Sequence, residues 1–337
     1  MPGREDLDIP DPEVANELDK MPGAGPVPTD IPSARIAFDN LIVVRARKAA
    51  RPFLPHDSQY SVQDHRITVE GGEITVRCAI PTPAGPDDRT FPLMLWTHGG
   101  GFIFGPLDMD DLLLRTLCVE LQIVVVNVDY RLAPEHPWPT GLNDAYTALK
   151  WAAEHTALLS ADLSKGFLVT GSSAGANLAT VMAHRALNDP FFEGQRVTGQ
   201  LLQMPLTCHP EGYPERYMHE LLSLETSGDP RLLAKAHMIE TYKKYAGPAT
   251  DPECSPLLYS SHIGLAPAYV QICGIDPVRD EGLLYERLFR EDGVKTKLEV
   301  YPGVGHGFSI HAPESKSAKK FDKDFKEGLR WLLQGGT

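Results

Sequence analysis

An α/β fold, with a mostly parallel sheet of eight strands and helices on both faces, is what this sequence predicts, and three observations predict it. Short β-favouring runs alternate with helix-forming stretches along most of the chain, for example residues 123–128 before 143–155, and 268–273 before 281–291. Several of these runs, 123–128 above all, are apolar at nearly every position, as strands buried on both faces of a parallel sheet require. Residues 167–178, F-L-V-T-G-S-S-A-G-A-N-L, read as strand, sharp turn and helix with a serine at the apex.

Taken in order, residues up to about 30 are rich in Pro, Gly, Asp and Glu and predict an extended arm with one helical turn around 12–20. Residues 31–48 carry aliphatic side chains at mixed spacing and predict one amphipathic helix. From Tyr60 the period becomes two, and Gly71-Gly72 turns a β-hairpin. A Pro/Gly/Asp loop at 81–89 leads to a buried strand at 91–97. A helix at 107–121, the strand at 123–128, a helix at 143–155 and the strand at 167–170 follow. The helix after the serine spans 176–186, and further strands fall at 197–204, 268–273 and 298–301. Helices at 281–291 and 315–333 complete the alternation. Only the interval 206–256 breaks it, with prolines, tyrosines, histidines and one helix at 231–245. An insertion of that length in a strand-to-helix connection is more often functional than idle. The chain therefore divides into an arm and cap part at 1–58, a core at 59–205, a cap insertion at 206–256 and the rest of the core at 257–337.

The composition excludes several classes of function. With 42% hydrophobic and 23% charged residues the chain suits a water-soluble protein with a sizeable core. A formal net charge of −13 argues against nucleic acid or an anionic membrane as partner. No run reaches the roughly 18 apolar residues of a membrane-spanning helix, so stable membrane insertion is not expected. The acidic first residues have no apolar core and resemble neither a secretory signal nor a transit peptide. Five cysteines, odd in number and scattered, predict free thiols in a reducing cytoplasm, with neither a disulfide framework nor a zinc site.

The chemistry gathers on three loops. Gly171-Ser172-Ser173-Ala174-Gly175 has the G-x-S-x-G pattern in which the two glycines let strand and helix backbones approach, and it marks Ser173 as a nucleophile. His98-Gly99-Gly100-Gly101 directly follows an apolar strand, and its bare backbone can aim N–H groups at a developing oxyanion. Candidate donors are the N–H groups of Gly100, Gly101 and Ala174, while His98 reads as a scaffold histidine on the loop rim. Among twelve histidines, His306 is the candidate base, because it follows a late strand and lies between glycines; His311 lacks that setting. Asp276 is the candidate acid, first after the strand at 268–273, with Asp280 as the alternative that starts a helix and caps it. The order Ser173, Asp276, His306 differs from that of chymotrypsin or subtilisin.

Together H-G-G-G-F, Y-R-L-A-P-E-H-P-W-P at 130–139, G-S-S-A-G, D-P-V-R-D-E-G and G-H-G-F resemble the hormone-sensitive-lipase group of α/β-hydrolases, over about 91–308. The resemblance implies the α/β-hydrolase fold with a helical cap built from the N-terminal segment and the insertion. It implies Ser173 as nucleophile, Asp276 as acid, His306 as base, and Gly100, Gly101 and Ala174 as oxyanion donors. Glu135 is similar to the family's scaffold carboxylate. The expected reaction is hydrolysis of a small-molecule ester through an acyl-enzyme, with no metal or organic cofactor, by a monomer or homodimer. Short-to-medium acyl or bulky aromatic esters fit a lid carrying Phe53, Tyr213, Tyr217, Met218 and Tyr242. Lactone, thioester or amide cleavage, or a dehydration, would use the same groups. A ligand receptor on this fold, like the gibberellin receptor, lacks the histidine that this chain keeps as His306. The elbow departs from the family's common G-D-S-A-G-G at Ser172 and Ala176.

Overall fold

The computed structural model describes residues 4–21, 30–82 and 89–337. Most of the loop expected at 81–89 lies outside the described residues. The strands are β1 (Tyr60–Val69), β2 (Gly72–Pro81), β3 (Leu93–Thr97), β4 (Val124–Asp129), β5 (Phe167–Ser172), β6 (Gly199–Gln203), β7 (Ala268–Ile275) and β8 (Thr296–Gly305). They form one sheet in the order β1-β2-β4-β3-β5-β6-β7-β8. The β1–β2 hairpin turns at Gly71, whose φ of 73° a residue without a Cβ adopts freely. β2 pairs antiparallel with β4, and every later pairing is parallel.

Ahead of the sheet lie α1 (Arg4–Leu7), α2 (Pro12–Asp19), α3 (Ile31–Phe38) and α4 (Val44–Ala50). The single turn expected around 12–20 is a two-turn helix, α2. Pro12 starts it, and the Asp11 carboxylate accepts from the N–H groups of Glu13 and Val14 at 2.8 and 3.3 Å. The helix expected at 31–48 forms, but a π-helical turn at Asp39–Val43 joins its halves. Val43 in this turn is buried, while Ile36 and Val44 stay exposed.

The core helices are α5 (Asp111–Leu121), α6 (Thr140–Glu154) and α7 (Ala174–Asn188). The insertion after β6 carries α8 (Ser223–Thr226) and α9 (Lys235–Tyr245). α10 (Arg279–Glu291), α11 (Phe308–His311) and α12 (Lys316–Leu333) follow. The pleat explains the layering. Leu93 and Leu95 point into the layer shared with α6, α7 and α10. Met94 and Trp96 point to the opposite layer, with Leu117 of α5 and Phe325 and Leu329 of α12. Both faces of β3 are thus buried, which is why its sequence is apolar without alternation. The carboxyl ends of β3, β5, β7 and β8 open on one edge of the sheet, where ligands of open α/β sheets bind.

Candidate active site

Ser173 stands at the break between β5 and α7 with φ 56° and ψ −120°, a strained conformation for a residue with a side chain. Its N–H donates to the Gln203 carbonyl at 2.7 Å, which anchors the turn to β6. The flanking glycines are required sterically. A Cβ on Gly171 would lie 2.4 Å from the Gly175 carbonyl carbon, and one on Gly175 would lie 1.9 Å from the Thr97 oxygen. β3 and the start of α7 therefore touch at backbone distance. The Thr97 hydroxyl reinforces the contact by donating to the Gly175 carbonyl at 2.8 Å.

The structure brings Ser173, His306 and Asp276 together. His306 Nε2 lies 2.8 Å from Ser173 Oγ, and His306 Nδ1 lies 2.8 Å from Asp276 Oδ2. Oδ1 of Asp276 accepts from the Val278 N–H at 3.1 Å, which fixes the carboxylate plane. A carboxylate oxygen accepts, so Nδ1 carries the ring hydrogen and Nε2 is left to accept from the serine hydroxyl. Asp276 is 1% exposed and Ser173 9%, so the relay is shielded while the serine oxygen faces the site.

The glycine loop lies beside the serine. A Cβ on Gly99 would stand 3.4 Å from Ser173 Cβ. Gly100 and Gly101 have φ of 114° and 60°, conformations that turn the loop back so that the Gly100 carbonyl accepts from Ile103 and Phe104. Ala174 opens α7, where first-turn N–H groups have no partner within the helix. His98 is not on the rim as expected but fully buried beneath the loop. Its ring stacks on Tyr130 with centroids 4.3 Å apart, and Nδ1 donates to the Gly99 carbonyl at 2.7 Å. Burial pulls its pKa down to about 4, so it is a neutral scaffold, in the role expected of it.

Asp280, His311 and Glu135 lie outside this relay. Asp280 accepts from the N–H groups of Leu222 and Ser223, at the start of α8, at 2.9 and 2.8 Å. It thus holds the first turn of α8. His311 is buried in α11, and Glu135 receives both arms of Arg35 at 2.9 and 2.8 Å. Sequence reasoning missed two neighbours of the site. Thr241 of α9 roofs Gly101, with its Cγ2 2.9 Å from where a Cβ would stand, and no motif links these positions. Arg35 of α3 donates to the carbonyls of Ile103 and Ala133 at 2.9 and 3.0 Å, tying the arm to the glycine loop. Of the residues expected on the lid, Tyr242 is buried against Phe102 and His209, Tyr213 donates to the Glu281 carboxyl at 2.8 Å, and Phe53 and Met218 are exposed. The structure explains neither Ser172 nor Ala176 as departures from the usual elbow.

A serine on a strand–helix elbow, a histidine bridging it to a buried aspartate and an adjacent glycine loop define a serine hydrolase of the α/β class. The profile of the α/β hydrolase fold family matches residues 94–310, and the chain belongs to that family, in its hormone-sensitive-lipase-like branch. It is a carboxylic ester hydrolase by class. Esterase LipI of Mycobacterium tuberculosis is 32% identical over 96% of this chain and all of its own length. Versiconal hemiacetal acetate esterase of Dothistroma septosporum is 34% identical over 72% of this chain and 74% of that protein. The crystal structure of vibralactone cyclase superposes with a TM-score of 0.94 at 41% identity, covering 98% of this chain and 96% of that one.

Proposed function

We propose that Ser173, His306 and Asp276 hydrolyse esters through an acyl-enzyme. The reading rests on one observation, the unbroken relay of two 2.8 Å contacts from carboxylate to imidazole to serine oxygen beside the glycine loop. His306 takes the Ser173 proton as the hydroxyl attacks the ester carbonyl, and Asp276 holds the ring and stabilises its charge. The N–H groups of Gly100, Gly101 and Ala174 receive the oxyanion; losing one such donor costs about 10²–10³ in turnover. His306 then protonates the leaving alcohol, and water repeats the cycle. Residues 1–58 and 206–256 act as the cap over this site. Short-to-medium acyl or bulky aromatic esters are its substrates, a reading supported by the likeness to an esterase named for a hemiacetal acetate. Five free, buried cysteines suit a reducing cytoplasm, and no helix among the described residues is long and apolar enough to cross a membrane.

A panel of nitrophenyl esters from acetate to long acyl chains tests this reading. Ser173→Ala is expected to lower turnover on the order of 10⁶-fold, and near-normal hydrolysis by that variant would overturn the assignment. A second reading is favoured by the likeness to vibralactone cyclase. If the alcohol that attacks the acyl-enzyme belongs to the acyl group itself, the new C–O bond closes a lactone and Ser173 regains its proton from His306. Hydroxy-ester substrates separate the two outcomes, since mass spectrometry tells the lactone from the hydroxy acid by one water.

A further inference from the structure

The parallel pairing of β7 and β8 is regular up to Cys273↔Tyr301 and resumes at Ile275↔Gly305. Between those pairs β7 contributes Gly274 alone, and β8 contributes Pro302, Gly303 and Val304. This bulge sits directly before Asp276 on one strand and His306 on the other. A bulge re-aims the side chains that follow it, so its shape sets the height of the imidazole against the carboxylate.

The N-terminal arm fills the bulge. A Cβ on Gly274 would lie 2.4 Å from the Leu7 carbonyl oxygen, and one on Gly303 would lie 2.3 Å from the Ile9 oxygen and 2.7 Å from the Asp11 nitrogen. The Asp11 N–H donates to the Gly303 carbonyl at 2.8 Å. Asp8 lies between these contacts. Its Oδ1 accepts from Arg279 Nη1 at 2.9 Å and from the Ser227 hydroxyl at 2.8 Å. Arg279, buried at 2% exposure, uses the same Nη1 to donate to the Gly274 carbonyl at 2.8 Å. Leu7 is itself buried. Backbone from the arm thus touches both strands at the one place where they do not hold each other.

We propose that residues 7–11 are a positioning strap that holds the β7–β8 bulge and thereby sets the Asp276–His306 hydrogen bond. The proposal rests on the reading of Asp276 and His306 as acid and base. The Leu7 and Ile9 carbonyls are the nearest atoms to the space a side chain would take at Gly274 and Gly303; Gly303 also has φ 72°, and a Cβ on Gly274 would meet the Gly303 nitrogen and Pro302 Cα of β8 at 3.0 and 3.1 Å. The strap touches no substrate and acts only through the two loops.

The test compares the full chain with a chain lacking residues 2–9, which keeps Asp11 and α2, and with Asp8→Asn; Gly274→Ala is made in the full and shortened chains. The shortened chain is expected to lose about tenfold or more in kcat on a nitrophenyl ester while KM stays within about twofold. Its downfield His306 Nδ1–H proton signal, a readout independent of turnover, is expected to shift or broaden. Asp8→Asn gives a smaller change in the same direction, so the proposal stays testable if the shortened chain fails to fold. Gly274→Ala lowers kcat in the full chain and costs a smaller factor once the strap is gone, since only the looser contacts with the Gly303 nitrogen and Pro302 Cα then remain. The strap is refuted if the shortened, folded chain keeps both kcat and the proton signal, if Asp8→Asn changes melting temperature alone, or if Gly274→Ala costs the same factor in both chains. Ser173→Ala in the full chain, run alongside, distinguishes failure of the strap from failure of the site assignment.

Discussion

Asp276 and Asp280 stand on the same loop-to-helix turn, and their partners give them different work. Asp276 faces the imidazole and holds it in one tautomer. Asp276→Asn presents an amide donor to a ring nitrogen that also donates, so kcat is expected to fall on the order of 10⁴-fold with the unfolding midpoint little changed. Asp280 holds α8 and pairs with Arg279, both buried. Asp280→Ala takes from Arg279 one of its two carboxylates, leaving it Asp8, and removes the acceptor of the two N–H groups at the start of α8; about 1–3 kcal/mol of stability is expected to be lost, measured by chemical denaturation. Turnover of whatever stays folded should fall far less than in Asp276→Asn. Measuring both quantities on both variants settles which carboxylate does the chemistry.

At the scale of elements, the site is assembled from pieces that meet only at their ends. Ser173 lies between β5 and α7, and the glycine loop, Asp276 and His306 follow β3, β7 and β8. α3 lies outside this set, yet through Arg35 it reaches the Ile103 and Ala133 carbonyls and the Glu135 carboxylate, while Phe38 stacks on Phe104 at 5.1 Å. Ile103 and Phe104 donate back to the Gly100 carbonyl, so this clamp bears on the glycine loop. Arg35→Ala is expected to lower kcat/KM about tenfold through loss of donor geometry. Arg35→Lys should not restore it, since an ammonium cannot span a carboxylate and two carbonyls as the planar guanidinium does. The partly exposed ion pair with Glu135 adds little by itself, so Glu135→Gln should leave kcat/KM nearly unchanged.

The whole molecule carries several buried groups whose protonation opposes folding. Burial draws His98, His262 and His311 down to about 4 and His184 to about 3. An unfolded chain binds protons on these rings below about pH 6.5 while the native chain does not, so stability falls as pH drops from about 6.5 toward 4. Glu281 runs the other way. Burial raises its carboxyl to about 8, against the pull of the Thr207 and Cys208 N–H groups and the Tyr213 hydroxyl. Its contribution is lost as pH rises through the interval from about 4.5 to 8. Asp110, which burial raises to about 6, and Asp129, which burial also raises, act in the same sense as Glu281. The four histidines outweigh these carboxyls below about pH 6.5, so the urea midpoint is expected to be lower at pH 5 than at pH 7. His184→Gln should reduce that difference, because it removes one ring that the unfolded chain would protonate.

Local constraints were readable from the chain alone because each is enforced within a few residues. The elbow needs Gly171 and Gly175 beside Ser173, the loop after β3 needs consecutive glycines, and strands buried on both faces must be apolar throughout. Those requirements yielded the eight strands, the candidate relay and the preference for Asp276 over Asp280. Tertiary packing decided the rest, since the partners lie far apart in sequence and bind through main-chain atoms, which every residue possesses. Nothing in the sequence near 241 signals that Thr241 will roof Gly101, and nothing near residues 7–9 signals that their carbonyls will fill the space at Gly274 and Gly303. His98 went from loop rim to buried scaffold for the same reason, because only folding brings Tyr130 under its ring. Steric and periodic demands act along the chain and leave a mark in residue type, whereas contacts made by backbone across the fold leave at most a glycine.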